Sequence, residues 1–155
     1  MNAASGAGLR SVLHPVVITG DLPRALVFYR DLLGLTVEDE IIHDPALLAR
    51  LGGPAGADAR AVILKAPDGS ELEIASFATP AGRPRTDAGW PDAGIRSITF
   101  IIDDIAAMLR RMATSGYERA GEVVPFEVDG AAVLVAYVHG PDGVILTLMQ
   151  RGGFP

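Results

Sequence analysis

The sequence predicts an α+β fold, two βαβββ modules whose curved mixed sheets form a cup. Three observations predict it. The order strand–helix–strand–strand–strand is written twice, on either side of a Pro/Gly/Asp-rich stretch with no periodicity. The anchors recur at equal offsets: His14 precedes Asp21 by seven residues as Ser97 precedes Asp104, and Gly69 precedes Glu73 by four as Gly143 precedes Thr147. A Pro-Asp-Gly turn introduces the last strand of each copy, at 67–69 and again at 141–143. A repeat of this length is an architectural statement.

Taken in order, residues 1–10 are expected to be a disordered N-terminal segment, and 11–78 form the first module. SVLHPVVIT is β-branched and roughly alternating, which predicts a strand. Asp21 stands where an N-cap belongs, and Pro23 sits just inside the helix that follows. That helix carries Leu22, Ala25, Leu26, Phe28, Tyr29 and Leu32 on one apolar face and stops at Gly34. Extended stretches are expected near 35–42 and 60–66, and ELEIASF at 71–77 is the closing strand. Between the anchors the first copy is nine residues longer than the second, and the surplus fits HDPALLARLGGPAGAD, with a short helix at 45–51.

Residues 79–94 read as the linker and 95–151 as the second module. IRSITFIID predicts a strand and DIAAMLRRMATSG a helix closed by Gly116. Extended segments at 121–128 and 131–138 flank the Asp-Gly turn at 129–130, and VILTLMQ is the last strand.

Composition narrows the chemistry. The 155 residues include no cysteine, which excludes disulfides, thiolate metal sites and cysteine nucleophiles. Any metal site must then draw on His14, His43, His139, carboxylates and backbone oxygens. A net charge of −6 argues against a nucleic-acid partner, because phosphates call for clustered Lys and Arg. No run is apolar enough for a signal peptide or a membrane span, so a cytoplasmic protein with no membrane partner is expected.

Side chains alternate faces along a strand, so parity sorts them. Leu72, Ile74, Ile98, Phe100, Ile102, Leu146 and Leu148 form the consistently apolar set and are expected against the helices. The opposite face carries His14, Val16, Ile18, Glu71, Glu73, Ser97, Thr99, Ile101, Ile145, Thr147 and Met149. A mixed, strand-lined cup of this kind suits a small molecule. Tyr137, Phe126 and Trp90 are the aromatics available to line it, Trp90 equally as a staple between linker and core.

The stretches HPVVITGDLPRALVFYRDLLGLTV, APDGSELEIASF, GIRSITFIIDDIAAMLRRMATSGY and YVHGPDGVILTLMQ resemble the vicinal oxygen chelate superfamily, which includes glyoxalase I, the bleomycin-resistance proteins and extradiol dioxygenases. The resemblance runs from about Leu13 to Gln150, and its most specific cue is the D-L…FY…LLGL string. It implies that the first strand of each module offers a metal ligand, commonly histidine, and the last strand a glutamate. At those positions stand His14 and Glu73 in the first module, but Ser97 and Thr147 in the second. Neutral hydroxyls are poor ligands, and one imidazole with one carboxylate seldom holds an ion alone. The expected cofactor is therefore none, or a weakly bound divalent metal on His14 and Glu73.

Three readings of His14 and Glu73 stand open: a metal pair completed by water and substrate, a metal-free catalytic pair with Glu73 as base, or inherited and inert residues. Glu71 shares the face of Glu73 and reads more simply as a solvated strand start. His43 reads as a surface or loop-capping residue that reaches the cup only if the insertion folds over it, and His139 as a loop residue. The ligand-binding set is Val16, Ile18, Ser97, Thr99, Ile101, Tyr137, Ile145, Thr147 and Met149. The expected function is binding of a small oxygenated or aromatic metabolite at a degenerate metal site, as a binding protein or a metal-independent lyase or isomerase. The alternative is a divalent-metal-dependent lyase, isomerase or dioxygenase whose third ligand is Glu71 or a residue of the insertion. A homodimer is the expected assembly.

Overall fold

The computed structural model of the chain describes residues 9, 11–83 and 97–152. The rest of the N-terminal segment, most of the linker and Trp90 lie outside the described residues. The first module runs β1 (Val16–Thr19), α1 (Leu22–Leu26), β2 (Thr36–Ile42), α2 (Pro45–Arg50), β3 (Asp58–Lys65) and β4 (Glu71–Thr79). The second runs β5 (Ser97–Ile101), α3 (Ile105–Thr114), β6 (Val124–Val128), β7 (Ala131–His139) and β8 (Ile145–Arg151). Each module makes a four-stranded mixed sheet, in the orders β1-β4-β3-β2 and β5-β8-β7-β6. In each, the first strand pairs parallel with the last and the remaining pairs are antiparallel. This is the doubled βαβββ, α+β arrangement that the repeat predicts.

Local chemistry sets the element boundaries. Asp21, Asp44 and Asp104 each cap a helix, their carboxylates accepting from the backbone N–H of Arg24, Ala46 and Ala107 at 3.0, 2.9 and 2.8 Å. Gly34 and Gly116 end the first and last of these helices with φ of +84°, a conformation that glycine adopts without a Cβ penalty. The first helix departs from expectation in its second half, where Val27–Leu32 widens into a π-helical turn and Leu33 N–H donates to the Phe28 carbonyl. β1 is shorter than the strand predicted at 11–19. It begins after Pro15, which has no N–H to offer a sheet, although its carbonyl still accepts from Glu73 N–H at 3.0 Å. His139 is the last residue of β7, not a loop residue, because the ladder with β8 continues as far as its pairing with Ile145.

One core serves both modules. Phe28 and Tyr29 are fully buried in it with Ile74, Met112, Leu146 and Leu148. Burying the Phe28 side chain stabilises the fold by roughly 1.5–3 kcal/mol. The Phe28 ring meets Tyr29 edge-on at 5.0 Å and Tyr117 of the second module at 4.5 Å. Gly140 borders this contact: a Cβ there would collide with the end of the Leu146 side chain and press on the Val144 carbonyl. A second tie runs from Thr19, whose hydroxyl donates to Asp142 Oδ2 at 2.5 Å. A third is the Arg111 guanidinium on the carbonyl of Asp31. All three ties join β1 or the first helix of one module to the second module, and the sheet faces opposite the helices stay partly open: Val16, Ile18 and Ile101 are each about half exposed.

Candidate functional site

The repeat is preserved in register as well as in order. Val16 pairs with Glu73 in the first sheet, and Thr99 pairs with Thr147 at the equivalent place in the second. Two residues before Val16 stands His14, whose Nε2 lies 3.0 Å from Glu73 Oε2. Two residues before Thr99 stands Ser97, whose Oγ lies 2.7 Å from Thr147 Oγ1. The two modules thus hold the same side-chain pair geometry with different chemistry, ionisable in the first and neutral in the second. Among the described residues, no hydrogen bond or ion pair joins one pair to the other.

Around the first pair acidic and basic side chains alternate. Glu38 accepts from Lys65 Nζ at 2.9 Å, and Lys65 stands 3.8 Å from Glu71. Its hydrogen bond to Glu38 raises the Lys65 ammonium above the usual lysine value. Glu71 Oε2 is 3.6 Å from His14 Nδ1, a buried nitrogen with no hydrogen-bond partner among the described residues. Beyond Glu73 the row ends at His43, whose Nε2 is 4.0 Å from Glu73 Oε1. His43 and Glu71 therefore differ from their sequence readings: both belong to the surroundings of the His14–Glu73 pair.

Strand register explains how His43 arrives there. Glu73 pairs with Ile63, Ile63 with Asp39, and Ile41 with Ala61, so Asp39 and Ile41 share the face of Glu73. His43 continues that parity, its N–H donating to the Ala59 carbonyl. The intervening positions on this face, Ala61 and Ala75, carry only methyl groups, which leaves room for the imidazole to approach the carboxylate.

The second pair borders a cavity of about 540 Å³ on the same sheet face, lined by Thr99, Thr147 and Met149 with Tyr137, Val135, Ala136, Val124, Phe126, Gly121 and Glu122. Four of the sequence-chosen residues, Thr99, Tyr137, Thr147 and Met149, come together here, and Ser97 joins through its bond to Thr147. Val16, Ile18 and Ile101 lie half exposed on the edge strands, and Ile145 is buried beside Ser97. Val124, Val135 and Glu122 were not singled out from the sequence. The first two are findable by parity once Val124 is known to pair with Val135, and Val135 with Met149.

The resemblance implies a four-ligand metal centre, and the residues present do not fit it. Two of the four positions are hydroxyls committed to each other, and among the described residues no three His, Asp or Glu side chains are grouped so as to hold an ion. Also among the described residues, no helix is long and apolar enough to cross a membrane.

Comparison with known proteins converges on one group. A family model described as Glyoxalase/Bleomycin resistance protein/Dioxygenase superfamily matches residues 11–148. A probable chloroplastic lactoylglutathione lyase of Arabidopsis thaliana is 27% identical over 146 residues, covering 94% of this chain. The chain spans only 37% of that protein's length. The uncharacterised protein YaeR of Escherichia coli K12 is 26% identical over 146 residues, covering 93% of this chain and 98% of YaeR. The crystal structure of a glyoxalase family protein from Bacillus cereus superposes with a TM-score of 0.85 at 25% identity, covering 97% of this chain and 100% of that one.

Proposed function

The chain belongs to the Glyoxalase/Bleomycin resistance protein/Dioxygenase superfamily, and on that premise we propose that it binds a small oxygenated or aromatic molecule in its sheet cup without the four-ligand metal centre. The observation that carries this reading is the Ser97–Thr147 hydroxyl pair, 2.7 Å apart, at the place where the first module has His14 and Glu73. Imidazole and carboxylate can move protons, and a neutral hydroxyl pair can only orient a ligand. The cup then acts either by sequestering its ligand or as a metal-independent lyase or isomerase. In the second case Glu73 takes a proton from the ligand while His14 holds the carboxylate in place.

Metal analysis of the purified protein, followed by calorimetric titration with manganese, nickel and zinc, tests the reading. The expected result is no stoichiometric tight binding. An equimolar metal that is lost in Glu73→Gln would overturn it. Recovery of an oxygenated aromatic ligand unchanged after prolonged incubation identifies sequestration, and product formation that vanishes in His14→Ala identifies catalysis.

A second reading, a divalent-metal-dependent reaction, is favoured by one observation: His43 stands 4.0 Å from Glu73, so a second imidazole is near the pair. The same titration decides it, since this reading requires the metal to be lost in His43→Ala as well. The proposed partner, apart from the ligand, is a second copy of the chain. The half-exposed Val16, Ile18 and Ile101 on edge strands β1 and β5 support that assembly, and sedimentation velocity showing monomer alone would remove it.

A further inference from the structure

The cavity beside the hydroxyl pair has a chemistry of its own. Ser97 and Thr147 carry one hydroxyl proton each, and their mutual 2.7 Å bond uses one of the two. Either hydroxyl can be the donor, so one part-buried hydroxyl proton beside the cavity is left without an acceptor among the described residues. A hydroxyl with a proton to spare at a mostly apolar wall is matched by a ligand that brings an acceptor oxygen. The remaining lining is mostly apolar, with Phe126, Tyr137 and Met149 offering ring and thioether surfaces in a space of about 540 Å³. Glu122 on the same lining opposes an anionic ligand.

We propose that the second module binds an uncharged aromatic carbonyl compound, its ring against Phe126, Tyr137 and Met149 and its carbonyl oxygen accepting the spare proton of the Ser97–Thr147 pair. The hydroxyls do by hydrogen bonding what a metal would otherwise do for a ligand oxygen, at much lower strength. The proposal rests on the reading that the cup binds a small oxygenated molecule, and it adds which module holds the ligand, by which group, and with which charge.

Three naphthalenes of similar shape test it by calorimetry on the full chain. Acetylnaphthalene has the acceptor, ethylnaphthalene lacks it, and naphthoate has it with a negative charge. Acetylnaphthalene is expected to bind about three- to tenfold more tightly than ethylnaphthalene, the worth of one net hydrogen bond, and naphthoate more weakly than acetylnaphthalene. The double variant Ser97→Ala, Thr147→Val is expected to erase the acetyl preference and keep the ethylnaphthalene affinity, while Phe126→Ala weakens both. Equal binding of the acetyl and ethyl compounds, a preference that survives the double variant, or no binding by any of the three overturns the proposal. Affinity that depends on His14 and Glu73 but not on Ser97 and Thr147 also overturns it, while leaving the proposed function standing. The proposed function fails separately, on the metal titration.

Discussion

His43 Nε2 lies 4.0 Å from Glu73 Oε1, while His14 Nε2 holds the other carboxylate oxygen, Oε2, at 3.0 Å. One carboxylate is thus flanked by two imidazoles from distant parts of the chain. Distance decides their weights. The closer pair is a formed hydrogen bond, and the 4.0 Å contact is a loose one between partly exposed groups. Double-mutant cycles in urea at neutral pH are expected to give a coupling of about 0.5–1.5 kcal/mol for His14 with Glu73 and below about 0.5 kcal/mol for His43 with Glu73. Equal couplings would mean that the two imidazoles share the carboxylate.

Placing an imidazole and a carboxylate in the second module is expected to build a chelating set. The double variant Ser97→His, Thr147→Glu is expected to gain binding of nickel or zinc, at least ~100-fold tighter than the parent chain. Calorimetric titration reads this directly. A parent that already binds as tightly as the variant would show that the hydroxyls are not what weakens the site.

Tyr29 is fully buried, and its hydroxyl has no hydrogen-bond partner among the described residues. Burial, with the Asp142 carboxylate as a smaller cause, pushes its phenol above the ordinary tyrosine value of 10.0. A group raised in the folded state holds its proton longer there than in the unfolded chain. Its contribution is therefore complete below the unfolded value near 10 and is lost as pH rises from there toward the folded value. Tyr29→Phe is expected to be neutral or up to about 1 kcal/mol stabilising at pH 7, and to flatten the alkaline limb of a urea-midpoint profile. A loss of more than about 2 kcal/mol at pH 7 would show that the hydroxyl has a partner after all.

The Thr19–Asp142 bond ties the end of β1 to the turn before β8. Asp142 sits at φ 56°, a conformation that Asp tolerates better than most residues, and accepts from the Thr19 hydroxyl at 2.5 Å and from Gly20 N–H at 3.4 Å. Asp142→Ala removes the charged acceptor, but the Thr19 hydroxyl can still reach the Asp21 carbonyl at 3.2 Å. The expected loss is therefore moderate, about 1–2 kcal/mol in thermal or urea unfolding, and Asp142→Asn should recover about half of it.

Much of this molecule is legible along the chain. The doubled order, the Asp21 cap and the glycine stops are local, and each follows from residues within one turn of the element it bounds. Parity also places His14 and Glu73, or Ser97 and Thr147, on one face, because alternation is a property of the strand itself. His43 shows where that stops. Its place depends on β2 pairing with β3 and β3 with β4, so three strands must be in register before the imidazole of residue 43 and the carboxylate of residue 73 can be known as neighbours. Glu122 is similar: it precedes β6 in the chain but lines a cavity with Thr147 and Met149 of β8.

The sequence by itself determined the doubled module, its helix boundaries and the placing of Ser97 and Thr147 in the second copy where His14 and Glu73 stand in the first. Only the tertiary structure decided that Ser97 and Thr147 bond to each other, that the cavity lies beside this pair, and that the insertion brings a second histidine to Glu73. The reason is physical. Capping, turns and alternation depend on a few adjacent residues, whereas a site is made of side chains far apart in the chain, and only strand register and core packing set the distances between them.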